Sequence, residues 1–161
     1  MKYLFNISFV SLFSFLSMLF GINQFVYASS YEMQKVVYHV NYDNPKRQAG
    51  ALRNIQNHIN AVGKDKLDIK VVMHGKGLSL MLLPEQAENT KLPVGNAGQS
   101  LQQKVDSLRS QGVQFNVCAN TLKGKNIKLE HLYNTFSDDI VPSGVAEIAK
   151  LQVSGFSYLR P

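Results

Sequence analysis

The chain has 161 residues, 17 Lys and Arg against 11 Asp and Glu, one Cys and no Trp. That length suits one domain and leaves little room for two. The net charge of +6 is spread out: Lys123, Lys125 and Lys128 are the nearest thing to a basic run, and no aromatic side chains interleave with them. This pattern argues against a nucleic-acid-binding surface.

At the N-terminus, Lys2 precedes an apolar run from Leu4 to Phe20. Val26-Tyr27-Ala28 then sets small residues at the −3 and −1 positions of a signal-peptidase site. Residues 1–28 read as a secretory signal peptide cleaved after Ala28. The alternative is an uncleaved anchor, which the length of the run allows, but Asn6, Ser8, Ser11, Ser14 and Ser17 dilute it. No second apolar stretch of spanning length follows, so the mature chain, residues 29–161, is expected to be soluble and periplasmic or secreted, with no membrane partner.

Lys35–Asn41 is rich in β-branched and aromatic residues and predicts a first strand. Asn44-Pro45 supplies a cap and a first helical residue without an N–H to lose. Leu52, Ile55, Ile59 and Val62 then mark one face of a helix closed by Gly63. Asp68–His74 predicts a second strand, completing a βαβ unit with parallel pairing and a right-handed crossover. Gly75-Lys76-Gly77 breaks this strand. It lacks the third glycine of a dinucleotide fingerprint, so phosphate binding is a weak reading.

Leu78–Leu83 is strongly apolar and fits either a buried helical turn or a subunit contact. Residues 85–98 read as loop. Ser100-Leu101-Gln102-Gln103 has capping-box spacing and predicts a helix burying Leu101, Val105 and Leu108 up to Gly112. A third strand covers Val113–Cys118, followed by a short helix ending at Gly124. Asp139–Val141 is a short strand, Val145, Ile148, Ala149 and Gln152 lie in a helix ending at Gly155, and Phe156–Arg160 is a terminal strand. About five strands with helical crossovers predict a three-layer α/β/α sandwich around a mostly parallel sheet.

Ligands of such sheets bind at the carboxyl ends of the strands. Here those ends carry Asn41-Tyr42-Asp43, His74-Gly75-Lys76-Gly77, Cys118-Ala119-Asn120-Thr121 and Pro142-Ser143-Gly144. Exported proteins mostly use cysteines in pairs, so a single thiol is buried and inert, paired between chains, or chemically used. Val113, Phe115 and Val117 share one face of their strand, while Cys118 shares parity with Gln114 and Asn116 and leaves on the more polar side, ahead of a helical turn whose amides would lower its pKa. His74 is placed to orient or polarise a group near it. His39, His58 and His131 show no metal-ligand spacing with Cys118 or with one another.

Four blocks, in this order and spacing, resemble the DsrE/DsrF-like family, and more closely its exported single-domain branch. They are Lys35–Asn41 followed by Pro45, Val71–Gly75, Phe115–Leu122 and Ile140–Val145. The resemblance covers essentially residues 29–161. It implies a three-layer α/β/α fold assembled as a trimer or hexamer, and a thiol-based persulfide carrier in sulfur-compound metabolism with donor or acceptor proteins as partners. Cys118 matches the carrier cysteine by position, while Val117-Cys118-Ala119-Asn120-Thr121 departs from the surroundings of that cysteine in cytoplasmic sulfur-relay members. The expected site is Cys118 as the reacting group, tuned or surrounded by His74, Gly75, Asn120, Thr121, Asn41 and Ser143, with no metal and no organic cofactor. The competing expectation is a non-catalytic oligomeric module that binds a small ligand or partner, with Cys118 only lining the pocket.

Overall fold

The computed structural model describes residues 31–161; the expected signal peptide and its cleavage site lie outside them. Five parallel strands form one sheet in the order β4-β3-β2-β1-β5. They are β1 (Gln34–Val40), β2 (Leu67–Met73), β3 (Gln114–Cys118), β4 (Ile140–Val141) and β5 (Ser157–Leu159). The intervening helices are α1 (Pro45–Val62), α2 (Gln99–Ser110), α3 (Ala119–Lys125) and α4 (Gly144–Val153).

Helix α1 begins as its sequence dictates. Asn44 Oδ1 accepts from Arg47 N at 3.0 Å, Pro45 follows, and Gly63 ends the helix at φ 94°. Its buried face of Leu52, Ile55 and Ile59 joins Leu101, Val105 and Leu108 of α2 over Val36, Tyr38, Val40, Val71, Phe115 and Val117. Leu122 and Ile127 pack into the same core, which places α3 on this face as well. The opposite face holds a much smaller cluster of Val37, Val72, Ile148, Leu151 and Phe156 beneath α4. The sandwich is therefore unequal: three helices on one side, one on the other.

This asymmetry follows from strand order. Building outward from β1 to β4 through right-handed crossovers keeps α1, α2 and α3 on one face. The return from β4 to β5, on the far side of β1, reverses direction and carries α4 across the other face.

One alternative is resolved and two local expectations are corrected. Of the two readings of the segment after β2, burial holds: Leu78, Leu80, Met81 and Leu82 are fully buried in the protomer's own core, where Gly75–Leu80 forms a 3-10 helix. Gly77 allows this path, because a Cβ there would collide with the Val40 carbonyl. Helix α2 has no capping box. It starts from Gly98, whose carbonyl accepts from Leu101 N and Gln102 N, while the Gln102 amide reaches back to Ala97 O at 2.7 Å. Helix α3 runs past Gly124 and ends at Asn126 in the left-handed conformation, φ 53°. Asn tolerates that geometry through local hydrogen bonding.

Candidate functional site

The loops leaving β3 and β4 diverge. The first enters α3 on one face of the sheet and the second enters α4 on the other. Adjacent strands whose connections part in this way open a crevice at their carboxyl ends, the preferred ligand site of open α/β sheets. Cys118 ends β3 at this point, in register with Val141 of β4. As strand alternation predicts, it lies on the face covered by α4.

Cys118 is buried, with 4% of the residue exposed. Burial pushes its pKa up, but four donors oppose this: the Thr121 hydroxyl and the backbone N–H groups of Gly144, Thr121 and Asn120. Together they prevail and hold the thiol below its ordinary value, because each donor favours the negatively charged sulfur. Two of these N–H groups come from α3 and the third from the first residue of α4, so both walls of the crevice grip one sulfur. Thr121 is fixed from its other side, where its Oγ1 accepts from Gly75 N at 2.9 Å. Gly75 reaches that position with φ +56°, a conformation glycine adopts without steric penalty.

His74 is the next side chain across the sheet. Met73 pairs with Val117, so one residue further along both strands His74 lies beside Cys118 on the same face. The backbone remains extended at His74, φ −148° and ψ 167°, and its N–H still donates to Val40 O at 3.3 Å. The imidazole packs against the start of α4: a Cβ on Gly144 would come within 2.8 Å of His74 Cβ. Gly144 therefore touches both groups, through its N–H to the sulfur and its bare Cα to the imidazole.

Beyond His74 the polar row continues. His39 Nε2 lies 2.7 Å from His74 Nε2, and His39 Nδ1 lies 2.7 Å from the Tyr158 hydroxyl. The two imidazole rings are stacked, with centroids 4.7 Å apart. His39 is buried, and that burial, with the nearby His74 and Arg160, holds its pKa down to about 4. Burial also lowers His74. Both imidazoles are thus neutral at pH 7. Tyr158, His39, His74 and Cys118 form a diagonal row over β5, β1, β2 and β3.

The structure gathers most of the residues singled out from sequence. Cys118, Asn120, Thr121, His74 and Gly75 converge on the crevice. Asn41 and Ser143 do not. Asn41 Oδ1 accepts from Arg160 Nε and Nη2 at 3.2 and 2.9 Å, anchoring the end of β5. Ser143 Oγ caps α4 through Ala146 N at 3.4 Å, and it is its neighbour Gly144 that faces the thiol.

His39, Tyr158 and Gly144 were missed as site residues. Parity alone places His39 on the same face as Val37; linking it to His74 required the β1–β2 register, in which His39 pairs with Val72. The other histidines are structural. His58 joins Tyr38 Oη at 2.9 Å to Gln34 Oε1 at 2.8 Å, and His131 Nδ1 accepts from Lys128 N at 3.2 Å. Among the described residues no group of three or more His, Cys, Asp or Glu is placed to hold a metal ion, and no helix is long and apolar enough to cross a membrane.

Comparison with known proteins agrees with this architecture. The sequence pattern of the DsrE/DsrF-like family matches residues 34–161. A protein of unknown function from Methanobacterium thermoautotrophicum, MTH1491, has a similar structure, with a TM-score of 0.63 and 25% identity over 80% of this chain and 99% of that one. The ychN protein from E. coli is also similar, with a TM-score of 0.58 and 20% identity over 80% of this chain and 100% of that one. No curated protein matches the chain.

Proposed function

The chain belongs to the DsrE/DsrF-like family, and from that premise we propose that it carries sulfane sulfur on Cys118. The observation behind this reading is the position of Cys118 at the end of β3, in the β3–β4 crevice, where the Thr121 hydroxyl and the Asn120, Thr121 and Gly144 N–H groups favour its thiolate form. The Cys118 thiolate attacks the outer sulfur of a donor persulfide, R–S–SH. Its S–S bond breaks, R–S⁻ leaves, and Cys118–S–SH remains. An acceptor thiolate then attacks the terminal sulfur of Cys118–S–SH, takes it as a new persulfide, and returns Cys118 to the thiolate. Each step is a displacement at sulfur with no net oxidation, so no organic cofactor is required. The same donors that hold the thiolate hold the departing Cys118 thiolate in the second step.

The N-terminal pattern of Lys2, the Leu4–Phe20 run and Val26-Tyr27-Ala28 supports an exported, periplasmic or secreted carrier. The family resemblance supports a trimer or hexamer that meets a donor or acceptor protein. Since Leu78–Leu82 is used up inside the protomer, self-association would employ other surface. Sequencing the N-terminus of exported protein and measuring its mass by light scattering test these two points; a chain retaining Met1 in washed membranes, or a monomer at micromolar concentration, would refute them.

A second reading is favoured by the thiol's low exposure. In it Cys118 only lines a pocket that binds a small ligand or partner. Incubating the folded protein with inorganic polysulfide and recording its intact mass separates the two. The carrier gains sulfur, dithiothreitol removes it, and Cys118→Ser gains none. A thiol that reacts only after denaturation would leave the binding module standing.

A further inference from the structure

The row from Tyr158 to Cys118 does more than fill a small core. We propose that Tyr158, His39 and His74 form a proton path that protonates the thiolate displaced when Cys118 attacks its donor. This rests on Cys118 being the nucleophile. His74 is the group that meets the leaving thiolate, while His39 and Tyr158 are positioning residues that act through it.

The two short contacts fix the chemistry. Each neutral imidazole carries one N–H, and His39 Nε2 and His74 Nε2 are 2.7 Å apart, so one holds the hydrogen and the other accepts it. In one arrangement Tyr158 O–H donates to His39 Nδ1, at 2.7 Å, and His39 Nε2–H donates to His74 Nε2. His74 then carries its hydrogen on Nδ1, free to be given away. In the other arrangement every hydrogen has moved one place: His74 Nε2–H donates to His39, and His39 Nδ1–H donates to the Tyr158 oxygen. Both arrangements satisfy the same heavy-atom distances.

The transfer balances accordingly. Cys118–S⁻ attacks R–S–S–X, where X is hydrogen in the donor persulfide and carbon in a disulfide; one S–S bond forms, one breaks, and R–S⁻ departs. R–S⁻ takes the His74 Nδ1 proton, His74 Nε2 takes the proton of His39 Nε2, and His39 Nδ1 takes that of Tyr158. Tyr158, 40% exposed on the edge strand, is resupplied by water, which leaves hydroxide in solvent. No imidazolium or imidazolate persists in the buried interior.

The surrounding charges do not compete for this role. Arg160, at the end of β5, disfavours a second proton on His39. On α4, Glu147 and Lys150 pair with each other at 3.1 Å, and on β2 Lys70 pairs with Asp68 at 3.1 Å. Lys76 and Asp43, at the ends of the neighbouring loops, are 3.4 Å apart.

The test compares two disulfides in the full chain at pH 7. Hydroxyethyl disulfide releases a basic alkyl thiolate, whose departure a proton donor speeds; the disulfide of nitrothiobenzoate releases a weakly basic aryl thiolate, whose departure a proton donor hardly changes. The readout is the ratio of alkyl to aryl rate at Cys118. His39→Gln keeps a donor to His74 but cannot pass a proton, and it should lower the ratio by about a hundredfold, the low end of general acid–base effects. Tyr158→Phe, at an exposed edge position where water can substitute, should lower it by about tenfold. A ratio unchanged in both variants, or both rates falling by one common factor, would overturn the proton path while leaving Cys118 a nucleophile. Failure of either reagent to reach Cys118 in the folded wild type would overturn the nucleophile reading, and the path with it.

Discussion

Replacing Thr121 by Val deletes the one side chain that both donates to the Cys118 sulfur and accepts from Gly75 N. Val keeps the shape, so the perturbation is the lost hydroxyl. A hydrogen bond to a charged partner contributes about 1.5–3 kcal/mol, and one pKa unit is about 1.4 kcal/mol. Thr121 is half-buried, so water partly replaces the hydroxyl, and the lower end of that range applies. The Cys118 pKa should rise by about one unit, and iodoacetamide alkylation near neutral pH should slow by about tenfold. The assay is alkylation rate against pH from about 5 to about 10, with thiolate absorbance as a parallel titration. Thr121→Ser, which restores the hydroxyl, should return the profile towards wild type. The sign for stability is also fixed. Cys118 has a folded pKa below its unfolded value, so its contribution is present above the unfolded pKa and is lost as pH falls through the folded one. The stability gap between wild type and Thr121→Val should therefore be wider in alkali than in acid. A folded Val variant with an unmoved alkylation profile would refute the assignment of Thr121 as a thiolate donor.

Gly77→Ala should destabilise the protein by about 3 kcal/mol in urea unfolding, since its Cβ meets the Val40 carbonyl and backbone cannot rotate away. Asp139→Asn should lose about 2 kcal/mol, because Asp139 accepts from Arg109 Nη1 and Nη2 at 3.2 and 2.8 Å and from Phe136 N at 2.9 Å; a urea midpoint equal to wild type would count against this clamp. Stability should fall as pH drops from about 6.5 to about 4, because unfolded His39 binds a proton that the folded protein rejects. His39→Gln should flatten that fall by about 2 kcal/mol in urea midpoints across the same range.

The central βαβ unit was legible because local and long-range signals agree there. Asn44-Pro45 starts α1, Gly63 ends it, and its apolar stripe has only one sheet face to cover. The Leu78–Leu83 segment was not legible, since an apolar run without periodicity suits a protomer core and a subunit contact equally. What decided it was a tertiary network: Gln48 Nε2 donates to Ser79 Oγ at 2.9 Å, and Asn96 Nδ2 donates to Gln48 Oε1 at 2.8 Å, pinning the segment beneath α1. At the site, parity placed Cys118 on the correct face. Strand order, which no local pattern encodes, selected the β3–β4 crevice and made Gly144, rather than Ser143, the residue that touches the sulfur. The His39–His74 contact likewise depends on register between β1 and β2.

One wall of that crevice stands on the weakest part of the sheet. Strand β4 contributes two residues, and its pairing with β3 ends at Cys118 and Val141. The Arg109–Asp139 pair, just ahead of β4, supplements this short ladder. Partial opening of such an element requires less free energy than opening the long β1–β2 ladder. Opening of β4 and the first turn of α4 would withdraw the Gly144 N–H from the sulfur. An opening there that uncovered the thiol would thus also remove one of the donors that keep it charged. Access and nucleophilicity at Cys118 would then oppose each other, and amide exchange at Gly144 would report on both.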